Sequence, residues 1–444
     1  MTFTPEVIDL LIEARWIAAV DPDVVLKNHA VAINHGRILA VLPASEARTR
    51  YQAAQRVTLD EHILIPGLIN LHTHAAMSLM RGLADDLPLM EWLQKHIWPA
   101  EAEHVSAQFV YDGTRLACAE MLKGGITCFN DMYFYPEAAA TAAAELGMRT
   151  MLGITALEFP TPYASDADDY LDKGLAVREL WRNNPLIGFC LAPHAPYTVS
   201  DRSFERILTL SEQLNLPIHC HIHETRHEVE ESQRQHQQSP LERLHHLGLL
   251  GPGFIGVHGV HLAESDLELL AATGSSIAHC PTSNLKLASG IAPVVRMRQL
   301  GINVGLGTDG AASNNRLDLF GEMRLASLLA KGTSGDASAL PARDILRMAT
   351  LNGAIALGLG HEIGSITAGK AADLCAVNLG TLETKPCFDP VSHLIYVAGR
   401  ESVSHVWVAG KCCVDHKTKP NPAQNDLDSA IALWQNKLEF RQEP

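Results

Sequence analysis

The feature that most constrains the fold is an alternation of eight short apolar runs with longer amphipathic stretches. The stretches, such as 107–124 and 203–215, have the apolar spacing of helices. Eight strand–helix units over roughly 300 residues predict a (β/α)8 barrel, with an open doubly wound sheet as the competing fold. No G-x-G-x-x-G follows an early strand, which favours the barrel. The runs are ILIPGLINLHTH, GITCFNDM, MRTMLGIT, LIGFCLAPH, LPIHCHIHE, FIGVHGVH, SSIAHCP and INVGLGTDG.

Both ends of the chain have a different, β-rich texture. Short β-type runs fill residues 1–60, and they return in the tail as GSITAGKAADLCAVNL, SHLIYVAG and VSHVWVAGKCCVD. Each end alone is too short to bury much apolar surface, so a single small β-sandwich built from both ends is favoured over two separate caps. The predicted domains are 1–62 (first part of the sandwich), 63–365 (the barrel) and 366–444 (second part and C-terminal tail).

Charge and cysteine usage narrow the class of protein. A net charge of −15 over 444 residues argues against a nucleic-acid partner, which needs clustered Lys and Arg. The nine cysteines include no C-x-x-C pair, which is typical of reduced, cytoplasmic thiols. No signal peptide is recognisable, and no run of about 18 uncharged apolar residues could cross a membrane. We expect a soluble cytoplasmic protein without a membrane span.

Histidines and acids collect where the predicted strands end. Because barrel enzymes place their active sites at the carboxyl ends of the strands, this clustering predicts a metal site. In a strand, residues i and i+2 share a face, so alternation alone cannot choose among the three histidines of the fifth strand. The residues concerned are His72 and His74 (first strand), His194 (fourth), His219, His221, His223 and Glu224 (fifth), His258 and His261 (sixth), and Asp309 (eighth).

Longer motifs resemble a known family. PGLINLHTHAAMSLMRGLADDLPLMEWL, HCHIHET, VHGVHLAESDLELLAATGSSIAHCPTSNLKLASGIAPV and GLGTDGAASNN are similar to the amidohydrolase superfamily, as is GSITAGKAADL near the C-terminus. The resemblance covers nearly the whole chain. Within this superfamily, the motifs most resemble the branch of S-adenosylhomocysteine and 5'-methylthioadenosine deaminases. Triazine hydrolases and guanine deaminases are relatives of that branch.

The resemblance implies a set of metal ligands. It makes His72, His74, His221 and Asp309 the ligands, with His221 and Glu224 matching the family's H-x-x-E motif. Three imidazoles and a carboxylate suit one divalent ion, most simply Zn²⁺, although iron or manganese also fit. Binuclear relatives add a bridging lysine from the third or fourth strand, and neither strand has one here, which favours a single ion. His219, His223 and His279 are expected to pack around the ligands rather than bind the ion.

The same resemblance implies the chemistry. A bound ion lowers the pKa of water toward about 7, Asp309 takes the water's proton, Glu224 moves protons to the ring and the leaving ammonia, and His258 orients the attacking oxygen. The reaction hydrolyses an amino-substituted heteroaromatic ring to its oxo form. Glu101 is expected to accept hydrogen bonds from the ribose hydroxyls, Trp92 to wall the base and His194 to contact the substrate.

The loop at 157–175 bears on which substrate is used. Relatives that accept the homocysteine tail carry arginines in this loop, whereas here its single cation is Lys173 among several acids. This favours 5'-methylthioadenosine over S-adenosylhomocysteine, unless Arg81 or another arginine reaches the tail.

Rival functions are a guanine, isoguanine or triazine-type aminohydrolase and, less favoured, a non-catalytic scaffold. Every expected ligand position is occupied, which argues against the scaffold. A deaminase of nucleic-acid bases would need P-C-x-x-C, which the sequence lacks. The resemblance also predicts a homo-oligomer, either a dimer or a tetramer.

Overall fold

The computed structural model describes residues 5–416, Thr418 and 424–439. The chain divides into two compact units. The first unit consists of the described residues of Met1–Ile69, Met121–Cys128 and Asp318–Pro422. The second unit consists of the described residues of Asn70–Glu120, Phe129–Leu317 and Ala423–Pro444. The boundaries at 62/63 and 365/366 that the sequence suggests stay a prediction.

The strands are short in the middle of the chain and longer near its N-terminus. Numbered along the chain, they are β1 (Glu6–Ala18), β2 (Val25–Asn34), β3 (Arg37–Pro43), β4 (Tyr51–Pro66), β5 (Leu68–Thr73), β6 (Ile126–Asp131), β7 (Arg149–Ala156), β8 (Ile187–Pro193), β9 (Ile218–Ile222), β10 (Phe254–His258), β11 (Ser276–His279), β12 (Asn303–Leu306), β13 (Leu374–Asn378), β14 (Val403–Val408) and β15 (Lys411–Asp415).

Helices separate the middle strands from one another. They are α1 (Ala44–Arg50), α2 (Leu89–Trp92), α3 (Trp98–His104), α4 (Ala107–Lys123), α5 (Pro136–Leu146), α6 (Ala167–Trp181), α7 (Asp201–Leu214), α8 (Arg226–His236), α9 (Pro240–His246), α10 (Glu264–Thr273), α11 (Pro281–Lys286), α12 (Val294–Gln299), α13 (Ala311–Asn314), α14 (Leu319–Ser334), α15 (Ala342–Arg347), α16 (Gly353–Ala356), α17 (Pro390–Tyr396) and α18 (Gln424–Glu439). A turn of π-helix at Leu93–Ile97 joins α2 to α3.

The middle strands form a barrel. In the described chain, β5 to β12 make one eight-stranded sheet in chain order, and the pairs from β7 to β12 are parallel. Just past β12, the Asp309 backbone N–H donates to the His72 carbonyl of β5 at 3.0 Å, so the last strand meets the first. The predicted (β/α)8 barrel is confirmed, and its carboxyl ends gather the polar residues.

Both ends of the chain contribute strands to one mixed sheet, in agreement with the prediction of a single β-domain, a small sandwich, built from both ends. Its order over the described strands is β15-β14-β13-β4-β1-β2-β3, so strands from the C-terminal part extend a sheet begun by the N-terminal part. β1 pairs in parallel with β4 and antiparallel with β2. Apolar residues of β1 fall in two separate clusters, with Leu10 and Ile12 in one and Ile8 and Leu11 in the other. Burial on both faces explains why β1 is apolar without strict alternation.

One local prediction is wrong. SHLIYVAG (392–399) was expected to be β-rich, but most of it lies in helix α17. The Asp389 carboxylate accepts hydrogen bonds from the backbone N–H groups of Val391 and Ser392, and Pro390 occupies the first turn. An aspartate cap followed by proline starts a helix whatever the β-propensity of the residues after it.

The C-terminal helix α18 packs on residues of α4 that belong to the same unit. Trp434 of α18 donates from its indole N–H to Asp112 of α4 at 2.9 Å, and its ring meets Phe109 edge-on at 5.1 Å. Burial of Trp434 and Leu438 fixes the helix there.

None of the helices in the described chain combines the length and the apolar composition that crossing a membrane requires.

Candidate active site

A cavity of about 440 Å³ opens at the carboxyl ends of the barrel strands. A volume of this size suits a small organic ligand. Apart from His72, which lies behind the surface, the predicted site residues all line it, namely His74, Trp92, Glu101, His194, His221, Glu224, His258 and Asp309.

Four histidines and an aspartate meet at one end of this cavity, and we call His72, His74, His221, His258 and Asp309 the histidine end. His72 Nε2 lies 3.2 Å from Asp309 Oδ1 and 3.3 Å from His221 Nε2. His74 Nε2 lies 3.3 Å from the same aspartate oxygen. Two sets have ligand atoms within 4.8 Å of one another: His72, His221 and His258, and His72, His74 and Asp309.

The hydrogen bonds of the outer ring nitrogens show which atoms face inward. Nδ1 of His74 contacts the Met132 carbonyl at 2.6 Å, and Nδ1 of His221 contacts the His194 carbonyl at 2.7 Å. A carbonyl oxygen only accepts, so both Nδ1 atoms carry the hydrogen. The Nε2 atoms of His74 and His221 therefore face Asp309 and His72, and each can offer a lone pair to a cation when its ring is neutral. Such a set of facing acceptors fits a cation held between them, and second-sphere carbonyls of this kind are usual for metal-binding histidines.

The electrostatics of the histidine end favour a positive charge. Burial lowers the pKa of His72 to about 4 and that of His221 well below its usual range, so both rings are neutral and able to ligate. Although burial opposes it, the hydrogen bond with Asp309 raises the pKa of His74 to about 9. The pKa of Asp309 is held well below its usual range despite burial, because His72 and His74 hydrogen-bond to it.

Small polar residues hold Asp309 in place. Its Oδ2 accepts hydrogen bonds from the Ser283 hydroxyl at 2.6 Å and the Ser313 hydroxyl at 2.8 Å, which leaves Oδ1 facing the histidines. Gly307 allows the close approach of the two strand ends, since a Cβ atom there would lie 2.9 Å from the His72 backbone nitrogen. Ser283 and Ser313 were not among the predicted site residues; their place on the short helices that follow β11 and β12 was the available signal.

Glu224 enters the cavity from the turn between β9 and α8. The Glu228 carboxylate accepts hydrogen bonds from the backbone N–H groups of His223 and Glu224 at 2.9 and 2.8 Å, which fixes the turn. The Glu224 carboxylate lies 3.7 Å from Nε2 of His258, and burial raises the pKa of Glu224. His258 is in turn held by Asn284, whose Oδ1 lies 2.8 Å from its Nδ1.

Three polar residues of the site adopt left-handed backbone conformations. The φ angles are 51° at His223, 72° at His258 and 61° at Asp309. Non-glycine residues avoid this region because it carries steric strain, and strain of this kind is concentrated at functional sites.

The remaining histidines surround this group. Nε2 of His219 lies 3.0 Å from Nδ1 of His72, so His219 contacts a member of the histidine end from within the barrel. His223 bonds the His261 carbonyl, His261 bonds the Ser289 carbonyl, and His279 is buried at the end of β11. His194 lines the cavity, with its Nδ1 3.0 Å from the Thr198 hydroxyl.

The other end of the cavity is apolar. Trp98, Phe134 and Phe159, which we call the aromatic rim, come from α3 and from segments that follow β6 and β7. The Trp98 and Phe159 rings lie 6.3 Å apart, and Phe159 is 40% exposed. Trp92 is buried in the cavity wall, and Glu101 receives a hydrogen bond from the Tyr133 hydroxyl at 2.7 Å. No arginine or lysine is among the described residues that line this cavity.

Residues 63–413 match the amidohydrolase family. The chain belongs to the amidohydrolase family. The resemblance to this family is therefore confirmed, and the histidine end lies within the matched residues of this amidohydrolase.

Three proteins similar to this chain are deaminases of adenine nucleosides by their names. The chain is 48% identical over 432 residues, 97% of both chains, to a 5-methylthioadenosine/S-adenosylhomocysteine deaminase of Saccharophagus degradans. It is 40% identical over 92% of its length and 93% of the other to a 5'-deoxyadenosine deaminase of Methanosarcina acetivorans. The crystal structure of an adenosine deaminase from Xanthomonas campestris with bound zinc matches with a TM-score of 0.97 and 47% identity, covering 98% of this amidohydrolase and all of that chain.

Proposed function

We propose that this amidohydrolase is a zinc-dependent hydrolytic deaminase of adenine nucleosides that carry a neutral 5'-thioether. 5'-Methylthioadenosine is the favoured substrate, and S-adenosylhomocysteine is a second one. The observation that carries the proposal is a single cavity with a His/Asp cluster and Glu224 at one end, and Glu101 and an uncharged aromatic rim at the other. The similar deaminases and the zinc-bound neighbour support it.

The proposed ligands are His72, His74, His221 and Asp309. Neutral imidazoles and one carboxylate oxygen are a donor set that suits Zn²⁺. A bound zinc ion acts as a Lewis acid that makes water nucleophilic at neutral pH. The cavity lining contains no lysine among the described residues, which supports a single ion.

Three residues move or hold protons in the proposed reaction. Asp309 accepts the proton of the attacking water through its carboxylate. Glu224 delivers its proton to the ring nitrogen beside the amino-bearing carbon, and its raised pKa favours the protonated form that can donate. Glu224 then takes the hydroxyl proton from the tetrahedral carbon and gives it to the amino group, which leaves as ammonia when the carbon–nitrogen bond breaks. The proton held by Asp309 returns Glu224 to its starting form. His258, oriented by Asn284, stabilises the oxygen that develops on that carbon.

The substrate lies between the two ends of the cavity. Glu101 accepts hydrogen bonds from the vicinal ribose hydroxyls, since a carboxylate offers several acceptor sites. Trp92 packs against the adenine ring, and His194, which also lines the cavity, contacts the substrate. The product is the inosine analogue of the nucleoside, together with ammonia.

The uncharged rim supports the thioether over the amino-acid tail. Arg81, the cation that might have reached a carboxylate, bonds Glu120 and the Asn315 carbonyl and does not line the cavity. Lys173, which was expected in the loop after β7, lies on helix α6, where it bonds Asp169 and the Tyr163 carbonyl. Two acids of the same helix, Asp168 and Asp172, pair with Arg206. The tail of S-adenosylhomocysteine would therefore meet little positive charge.

An ammonia-release assay tests the proposal. Zinc-loaded protein should release ammonia from 5'-methylthioadenosine fastest, then from S-adenosylhomocysteine and adenosine, and not from guanine or a triazine. Removal of zinc with a chelator should abolish turnover, and zinc should restore it. Glu224→Gln should retain zinc but lose most activity, roughly 10²- to 10⁴-fold.

The other outcomes are equally informative. Activity on guanine or a triazine but on no nucleoside would favour the rival aminohydrolase reading, because Glu101 would then lack a ribose partner. Absence of turnover with every ring tested, despite full zinc loading, would favour a scaffold protein. A homo-oligomer, dimer or tetramer, and a cytoplasmic location are further proposals that sedimentation and cell fractionation can test.

A further inference from the structure

Tyr133 is a cavity residue to which neither the family motifs nor the proposed reaction gives a role. It follows β6, and its side chain lies beside both ends of the cavity. Its ring centroid is 6.4 Å from that of His74 and 5.2 Å from that of Phe134, and the residue is 6% exposed. Packing on both sides fixes the position of its hydroxyl group.

We propose that Tyr133 positions Glu101 to accept both ribose hydroxyls, and thereby sets the preference of this enzyme for ribonucleosides over deoxynucleosides. The inference rests on the proposed function, since it gives Glu101 a ribose to bind. The Tyr133 hydroxyl donates to Oε1 of Glu101 at 2.7 Å, and both side chains line the cavity.

The hydrogen bond restrains the carboxylate of the Glu101 side chain. Glu101 lies on the short helix α3, whereas Tyr133 is anchored at a barrel strand end. Among the residues that the structure describes, Tyr133 provides the one hydrogen bond to the Glu101 carboxylate. Restricting a flexible binding group before the ligand arrives lowers the entropy lost on binding.

The same hydrogen bond leaves acceptor sites for the substrate. A carboxylate has about four lone-pair positions, so one donor leaves room for two further hydroxyl donors. The phenol donates and does not compete, because burial and the nearby Glu101 charge keep the pKa of Tyr133 well above its usual value. Burial raises the pKa of Glu101 to about 7, and the Tyr133 hydrogen bond opposes that rise, favouring the ionised, accepting form.

A substitution that removes only the hydroxyl tests the inference. Tyr133→Phe should raise KM for 5'-methylthioadenosine roughly tenfold, with a smaller change in kcat, since a hydrogen bond to a charged group is lost. KM for the 2',3'-dideoxy analogue, which has no ribose hydroxyls, should change less than twofold. The ribo-to-dideoxy ratio of kcat/KM should fall about tenfold in the variant.

Tyr111→Phe is the matched control. It deletes a phenol hydroxyl that donates to a glutamate, Glu145, at 2.6 Å on an exposed surface outside the cavity, and it should leave both substrates unaffected. In a Glu101→Gln background, Tyr133→Phe should have little further effect if the two residues act as one unit. Zinc content and circular dichroism report whether each variant is folded.

Each result has a separate meaning. An equal loss on both substrates, or an unchanged ratio, would overturn the role of Tyr133. A wild-type enzyme that deaminates ribo and dideoxy substrates equally well would also overturn it, while leaving deamination itself intact. Only a wild-type enzyme that releases no ammonia from any adenine nucleoside would refute the proposed function.

Discussion

The histidine end and the aromatic rim belong to the same cavity but are built in different ways. At the histidine end, every side chain is held by at least one directed hydrogen bond, many of them to backbone carbonyls or serine hydroxyls at strand ends. The rim is built from helix α3 and segments after the strands, and ring packing holds it together. Directed bonds fix a reaction geometry, whereas packing alone tolerates change. In the proposed function, the first end therefore determines the reaction and the second determines which nucleoside enters.

The largest expected effect comes from breaking the histidine end itself. Asp309→Asn keeps the size of the side chain but removes both the charge that attracts a cation and the proposed proton acceptor. We expect kcat to fall by roughly 10³-fold or more, with a loss of bound zinc. Steady-state kinetics and metal analysis measure the two effects. Asp336→Asn, on an exposed turn, is the control, and retention of wild-type activity in Asp309→Asn would contradict the ligand set.

Loosening the same end should have a smaller effect. Ser283→Ala removes one hydrogen bond to Asp309 Oδ2 and leaves that of Ser313. Partners that orient a metal ligand typically contribute 10- to 100-fold, so kcat/KM should fall by about that factor. Zinc affinity, measured by competition with a chelator, should fall in parallel. An unchanged kcat/KM would mean that Ser313 alone holds the aspartate.

A substitution in the aromatic rim should change the substrate preference of the enzyme. Phe159→Arg places a cation at a half-exposed position of the uncharged wall. We expect kcat/KM for S-adenosylhomocysteine to rise relative to 5'-methylthioadenosine by roughly tenfold, since a charge-assisted hydrogen bond to the tail carboxylate becomes possible. Phe159→Gln is the uncharged control of similar length. A ratio that moves equally in both variants would show that bulk, not charge, controls entry.

The smallest effect concerns pH. With a Glu101 pKa of about 7, the carboxylate accepts ribose hydrogen bonds above this pH and is lost as an acceptor when it is protonated below it. Lowering the pH from 7.5 to 6.5 should therefore raise KM for ribonucleosides about threefold. The 2',3'-dideoxy analogue should lack this component. A KM that falls on acidification would give the opposite sign and exclude an ionised acceptor.

The residues of the histidine end could be predicted from the sequence better than those of the aromatic rim, for a physical reason. Asp309 comes just after β12. His72 lies in β5 and His74 directly follows it, and the regular two-residue period of a strand makes their shared direction predictable. His219 and His221 share that period, so they face the same interior at different depths, and the H-x-x-E motif was needed to choose between them. SHLIYVAG was misassigned because its β-type residues outweighed the Asp389–Pro390 start signal that precedes them.

The roles of serine, tyrosine and phenylalanine residues in the cavity were harder to predict from the sequence. Ser283 and Tyr133 act through contacts with residues 26 and 32 positions away, whereas Ser313 contacts Asp309 four positions away. A serine or tyrosine after a strand has no distinctive pattern of its own. Phe159 lies in an acidic segment that was interpreted by its charges, so its aromatic ring was not considered as part of the cavity. The position of such side chains depends on loop conformation, which local sequence specifies weakly.

His72 and Asp309 are 237 positions apart, yet they share a hydrogen bond at the seam where the barrel's first strand meets the last. During synthesis on the ribosome, His72 and His74 therefore emerge long before Asp309, which follows nearly the whole barrel. A nascent chain that stops before β12 has no carboxylate to complete the cluster, so ion capture is deferred until the final strand has been translated.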